Sequence, residues 1–336
     1  MLYNLHVLRV IAALGVVYYH ITSSAGLNLR ANLGSRGVDV FFVISGFIIA
    51  FIGSKKPQQF FLRRAIRVVP FYWAATLFVF AIALAKPNLM NTTHPDFKQL
   101  AASLAFIPRL PPGGEQFPTL VLGWSLNFEM FFYVWFALAL KLGPSKNAPI
   151  ICSAFIIAFT AIVHLLGVDN AILTFWARPI VLEFVFGIAV FYLFSWDALK
   201  PPKWLLILLC VASFGMICYG ELVYFDWYRA IVAGIPSFVL VLSALLLEKH
   251  YKVTTQNKTM FLLGEASYII YLIHPYIIYA VLRLVVGKRD LGDYAVVPLI
   301  AALLALVSVL SVLIHLYFEK PVMGFLRRKL THVEQG

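Results

Sequence analysis

Charge is scarce in this chain. Only 12% of its 336 residues are Asp, Glu, Lys or Arg, about half the share in an ordinary soluble domain, which excludes a water-soluble globular fold and a disordered segment alike. Acidic residues are scarcer still, 15 against 27 Lys plus Arg, for a formal net charge of +12. In so apolar a chain that excess belongs to basic loops at a lipid surface, and no nucleic-acid partner is expected. Cysteine is nearly absent. Cys152, Cys210 and Cys218 all fall in apolar runs, an odd count without metal-type spacing, so neither a disulfide framework nor a zinc site is expected. There is no internal repeat of the kind many transporters carry, and no low-complexity segment.

Hydrophobic residues make up 62% of the chain and mean hydropathy is +0.87, so the chain is read as an all-α polytopic membrane helix bundle in contact with the lipid bilayer. Ten segments are long enough, or nearly so, to span: 5–22, 38–53, 68–86, 121–140, 149–167, 176–195, 204–220, 229–247, 260–284 and 295–318. Leu100–Ile107 is too short and reads as an interfacial helix. Arg9, the run Val10–Tyr19 and the small residues Ser23 and Ala25 loosely imitate a cleaved signal peptide. Cleavage would leave the next spans without an anchored first helix, so this run is read as the first span. With the N-terminus inside, inward loops and tail carry sixteen Lys and Arg against eight outside, which predicts both termini in the cytoplasm. Residues 1–330 then form a single transmembrane domain and 331–336 a short cytoplasmic tail. The longest loop, roughly 87–120, contains His94, Asp96 and Pro111-Pro112-Gly113-Gly114. It faces outward as either a lid or a plain solvated loop.

Ionisable residues inside apolar helices are costly and point to function. Arg9 and His20 lie eleven residues apart, which puts them on one helix face some 16–17 Å apart along the axis, about three turns. Such a face belongs in a bundle or wet cavity and suggests a path between two compartments. Asp39 opens the second span at the depth of His20. It either orients the imidazole as a base or caps its own helix. Arg63, Arg64 and Arg67 form one guanidinium patch before the third span. That patch suits a phosphate-rich ligand and equally suits an anchor of the positive-inside kind. Glu129 sits mid-membrane, either functional or half of an ion pair. Arg178 and Glu183 share the sixth span as structural residues. His274-Pro275 sits inside the ninth span, where the proline leaves the Tyr271 carbonyl unpaired, so His274 is either a polar wall or a packing residue. His315 and Glu319 read as interfacial.

Several stretches together resemble the acyltransferase-3 family of polytopic membrane acyltransferases. They are Arg9 with ten residues before His20, GSRGVDVFFVISGF at 34–47, FLRRAIRVVP at 61–70, WSLNFE at 124–129 followed by Phe132-Tyr133, SYIIYLIHP at 267–275, and Glu319-Lys320-Pro321. Each is weak alone; their order and spacing are specific. The resemblance implies ten helices in a bacterial inner membrane. It implies O-acyl transfer, usually acetyl, from cytoplasmic acyl-CoA to a hydroxyl of an exopolysaccharide, O-antigen or other glycan or glycolipid acceptor at the outer face. Acyl-CoA is then a donor substrate, with no bound cofactor and no metal. Arg9, Arg63, Arg64 and Arg67 are the expected donor-binding residues. His20, Asp39 and Glu129 are the catalytic candidates, and Ser45 and His274 the substrate-binding ones. The family's usual double acid after Trp-Ser-Leu is Phe128-Glu129 here, leaving one carboxylate. No appended extracytoplasmic esterase-like domain is expected. The rival class is a ten-helix transporter or flippase with a polar lining and a broken helix.

Overall fold

Runs of Leu, Ile, Val and Phe too long for a soluble core, and punctuated by Pro, Gly and Asn, form helices because a bilayer supplies no partner for a free backbone N–H or C=O. A computed structural model describes residues 2–24, 33–86, 95–109, 117–222, 228–286 and 293–331. Within them thirteen α-helices follow one another: α1 Tyr3–Ser24, α2 Gly37–Gly53, α3 Phe60–Ala85, α4 Phe97–Leu104, α5 Gly123–Leu142, α6 Ala148–Leu165, α7 Ala171–Trp176, α8 Leu182–Ser195, α9 Lys203–Leu222, α10 Ile235–Tyr251, α11 Lys258–Val281, α12 Asp293–Ile314 and α13 Lys320–Leu330. Eight helical stretches among the described residues are long and apolar enough to cross a membrane, and Gly37–Gly53 and Pro179–Ser195 are shorter apolar helices between them. The protein is an integral membrane helix bundle. Large side chains such as Leu77, Phe78, Ile150, Val211 and Val309 are exposed on it, as expected of a surface that meets lipid rather than water.

The bundle's two ends are marked by polar contacts. At one end the Tyr3 and Asn4 amides both donate to Glu248 at 2.8 Å, and Ser145 donates to the Ser54 carbonyl. At the other, Glu221 accepts from the Gly34 and Arg36 amides at 2.6 and 2.8 Å. We call the first the terminal end, because α1 starts there and α13 packs there against α3. The second is the opposite end. The closest crossing is α2 on α8. A Cβ on Gly46 would fall 2.2 Å from the Phe184 carbonyl oxygen, and one on Gly187 would fall 2.2 Å from that of Val43, so only glycine lets these backbones meet. Beside that crossing, Phe42 and Phe132 stack on Phe184 with centroids 4.6 and 4.5 Å away.

Local details depart from the sequence reading in three places. The sixth span does not begin at 176: α7 ends at Trp176, a bend and the 3-10 turn Pro179–Val181 follow, and α8 starts at Leu182. Arg178 and Glu183 therefore do not share a helix, because the extended backbone of Arg178 ahead of Pro179 ends one helix before the next begins. Second, α11 runs through Pro275 without a break. Third, His315 and Glu319 are buried rather than exposed as interfacial side chains would be, and both lie in the π-helical turn His315–Glu319. The helix near residue 100 begins at Phe97, capped by Asp96, which accepts from the Lys98 amide at 2.7 Å. Arg109 pairs with Asp96 at 2.6 Å, and that bond holds the Asp96 carboxyl below the ordinary carboxylate range. His94 and Pro111–Gly114 lie outside the described residues.

Candidate active site

A cavity of about 570 Å³ opens inside the bundle between α1, α2, α3, α5, α11 and α13. Arg9, Arg64, Arg67, Lys320 and Arg327 bring five cations to it. Arg64 and Arg67 reach it together because they lie on one face of α3, three residues apart. Arg63 does not line it; its guanidinium donates instead to the Lys56 carbonyl. Lys320 and Arg327 come from α13, which continues from the π-helical turn at 315–319 and packs against α3. His315 also lines the cavity, its Nδ1 2.6 Å from Glu319 Oε2 and its Nε2 3.9 Å from Glu265.

Further in, the lining is polar and carries the Glu129 carboxylate. Ser45 donates to Glu129 at 3.1 Å, and Tyr133, one helical turn along α5, donates to the same carboxylate oxygen. The two candidates Ser45 and Glu129 thus meet in one wall, on α2 and α5. The cavity reaches Ser125 and Tyr271, whose hydroxyls lie 2.8 Å apart.

Behind Tyr271 lie the histidines. His274 is fully buried, and its ring centroid is 6.1 Å from that of Tyr271 and 5.0 Å from that of His20. His274 Nδ1 is 3.0 Å from the Ile270 carbonyl. A carbonyl can only accept, so Nδ1 carries the proton in the neutral ring and Nε2 is left as a buried lone pair without a hydrogen-bond partner among the described residues. His20 lines neither this cavity nor the one described below; it sits between Tyr19 and His274. α1 is continuous from Arg9 to His20, so the two are roughly 16–17 Å apart along the helix.

Asp39 does not orient His20 through any described hydrogen bond. It is fully buried, and its two oxygens accept from Arg229 Nε and Nη2 at 2.9 and 2.8 Å. A planar guanidinium fork matches a carboxylate better than a single imidazole N–H does. The N-cap alternative fails too: Asp39 lies inside the first turn of α2, behind the cap residue Arg36. Glu183 is also fully buried, and its side chain is 3.0 Å from where a Gly234 Cβ would sit.

A second cavity, of about 710 Å³, lies at the opposite end among α5, α6, α7 and the turn before α8, with Trp124, His164, Arg178 and Arg229 in its lining.

The acyltransferase-3 family model, described as an acyltransferase domain, matches residues 2–317. The chain belongs to the acyltransferase-3 family. Similar proteins include the exopolysaccharide production protein ExoZ of Rhizobium meliloti, 34% identical over 298 residues that cover 87% of this chain and 90% of that one. Acyltransferase MdmB of Streptomyces mycarofaciens is 26% identical over 347 residues, covering 94% and 85%. No solved structure matches significantly.

Sequence reasoning missed several residues around that site. Arg229 was counted only as a loop cation, although an acid as buried as Asp39 needs a positive partner. Lys320 and Arg327 were read as tail anchors. Tyr133 was within reach of the i, i+4 rule applied to Glu129. Nothing local to the sequence pairs Tyr271 with Ser125.

Proposed function

We propose that this membrane acyltransferase moves an acyl group, acetyl by family resemblance, from cytoplasmic acyl-CoA to a hydroxyl of an exported or envelope glycan at the outer face. The observation that carries this is the inner cavity: cations at the terminal end, then a polar channel past Glu129 ending at Ser125 and Tyr271, with His274 and His20 beyond. That order matches the order of groups along acyl-CoA. Arg64, Arg67, Lys320 and Arg327 take its phosphates through charge-assisted bonds. The pantetheine arm passes Arg9, Ser45 and Glu129. The thioester ends near Tyr271 and the histidines.

His20 acts as the base. It removes the proton from an acceptor hydroxyl, whose oxygen attacks the thioester carbonyl. The C–S bond breaks as the ester forms, and the CoA sulfur leaves with the proton that His20 held. His274 packs against His20 and fixes its ring. Asp39 serves by holding Arg229. The Lys and Arg asymmetry supports the terminal end as the cytoplasmic one, and the exopolysaccharide role in the name of ExoZ supports a glycan acceptor.

The test is single-turnover acyl transfer by purified protein, with acetyl-CoA binding measured alongside. His20→Gln keeps polarity and approximate size but cannot relay the proton, so it should bind donor and transfer nothing. Substantial turnover in a folded His20→Gln protein would move the base to Glu129, which faces the cavity directly.

A further inference from the structure

The second cavity is absorbed by none of the donor chemistry, and its lining is unlike that of the first. It combines aromatic faces (Phe117, Trp124, Phe128) with polar side chains (His164, Thr174) and two guanidiniums, and no Asp or Glu lines it among the described residues. Both arginines are held in place. Arg229 is gripped by Asp39 through two bonds and lies over the Trp124 ring, 5.8 Å from its centroid. Arg178 enters from the bend between α7 and α8 and lies 4.8 Å over Phe175. Flat aromatic faces suit the apolar C–H face of a sugar ring, and planar guanidiniums suit a carboxylate or phosphate. The volume falls in the range of small-ligand sites.

This cavity also touches the donor site. Trp124 and Ser125 are consecutive on α5, yet the first lines the outer cavity and the second the inner one. Phe42 lines the inner cavity and packs on Trp124 and Phe128 of the outer one, with centroids 6.5 and 6.1 Å away. Phe42 on one side, with Trp124 and Phe128 on the other, thus form a ring wall shared by the two spaces.

We propose that the outer cavity binds the acceptor, and that the acceptor segment it selects is an anionic saccharide, a sugar carrying a carboxylate or phosphate close to the hydroxyl that is acylated. This rests on the acyl-transfer reading above and adds the charge class of its acceptor. Trp124 stacks on the ring, while Arg178 and Arg229 take the anion. The Asp39–Arg229 pair then has a purpose: it keeps one guanidinium plane oriented at the ring wall between donor and acceptor.

The test uses full-length protein in phosphatidylcholine nanodiscs and two probes of equal length, tetragalacturonate and a neutral tetragalactoside, with binding read by thermophoresis. Tetragalacturonate should bind at least about tenfold more tightly, the scale of one charge-assisted bond. Arg178→Gln should remove most of that preference and Arg178→Lys restore part of it. Trp124→Leu should weaken both probes alike. Equal affinity of the two probes for the unmutated protein, or a preference untouched by Arg178→Gln in a variant of unchanged melting temperature, would overturn the proposal. So would loss of tetragalacturonate binding in phosphatidylglycerol nanodiscs, which would make this a lipid headgroup site. Acetyl-CoA hydrolysis on the same preparations separates the two levels. If the unmutated protein neither binds nor turns over acetyl-CoA, the acyl-transfer reading fails, and the proposal fails with it. If acetyl-CoA is turned over but the charge preference is missing, only the acceptor assignment fails.

Discussion

Arg229→Gln should be among the most damaging single changes outside the donor cavity. Asp39 is fully buried, and Arg229 supplies bonds of 2.9 and 2.8 Å to its two oxygens. Charge-assisted bonds contribute about 1.5–3 kcal/mol each. Removing one partner of a buried pair costs about 3–5 kcal/mol, because the remaining charge has no water to turn to. That is a large share of the roughly 5–15 kcal/mol that holds a domain folded. Asp39→Asn should cost less, since Arg229 is partly exposed, with 19% of its side chain accessible, and can find solvent. The double change Asp39→Leu with Arg229→Met should be close to neutral in stability, because it leaves no orphaned charge. It should still impair acceptor use, since it strips a guanidinium from the ring wall. The assay is thermal unfolding of each variant in detergent, analysed as a double-mutant cycle, with single-turnover transfer measured in parallel. Because the double change is close to neutral, the coupling should equal the sum of the single penalties, about 3–5 kcal/mol or more. Additive penalties, or an apolar pair no more stable than Arg229→Gln alone, would refute the ion-pair reasoning. Full transfer in the apolar pair would deny Arg229 any part in the reaction.

The other expectations concern donor, packing, cap and orientation. Arg64→Ala and Arg67→Ala should each weaken acetyl-CoA binding about tenfold or more, with only partial rescue by Lys. Arg63→Ala should change it little, because Arg63 bonds to Lys56 outside the cavity; equilibrium binding to purified protein decides, and equal losses at all three positions would be evidence against this docking. Gly187→Ala puts a Cβ 2.2 Å from a facing carbonyl and should lower detergent stability by about 1–3 kcal/mol, the usual scale of overpacking; an unchanged melting curve would mean that the α2–α8 crossing is looser than described. The Asp96 carboxyl is lowered by its bond to Arg109, so the cap on α4 is fully present above the ordinary carboxylate value and lost as pH falls through the lowered one. Protection of the amides at residues 97–104, corrected for intrinsic exchange, should hold at the ordinary carboxylate value and fall only below it, and Asp96→Asn should abolish that dependence. With Cys152, Cys210 and Cys218 replaced, Lys98→Cys should react with an impermeant thiol reagent in intact cells and Lys252→Cys only after lysis; the reverse pattern would invert the topology.

Much of the architecture was open to reading because its causes are local. Whether α1 spans is decided by the residues of α1, since lipid demands an unbroken apolar run whatever its neighbours do. The shared face of Arg9 and His20 follows from helical pitch, and the arginine cluster from a spacing of a few residues. Partners were another matter. Asp39 looked like the companion of His20 because both fall at one depth, but depth leaves the angle around the bundle free. Packing of α2 against the turn that leads into α10 brings Asp39 instead to an arginine 190 residues away. His274 came to rest against His20 for the same reason, since α1 and α11 are neighbours in space only. The bend that turns Arg178 into the outer cavity redirects a charge without altering any hydropathy pattern, and Lys320 and Arg327 reach the inner one because α13 packs beside α3. Insertion into the bilayer depends on sums over single segments, which a sequence displays. The pairing of charges depends on which helices touch and at what rotation, and that is decided only when all of them pack together.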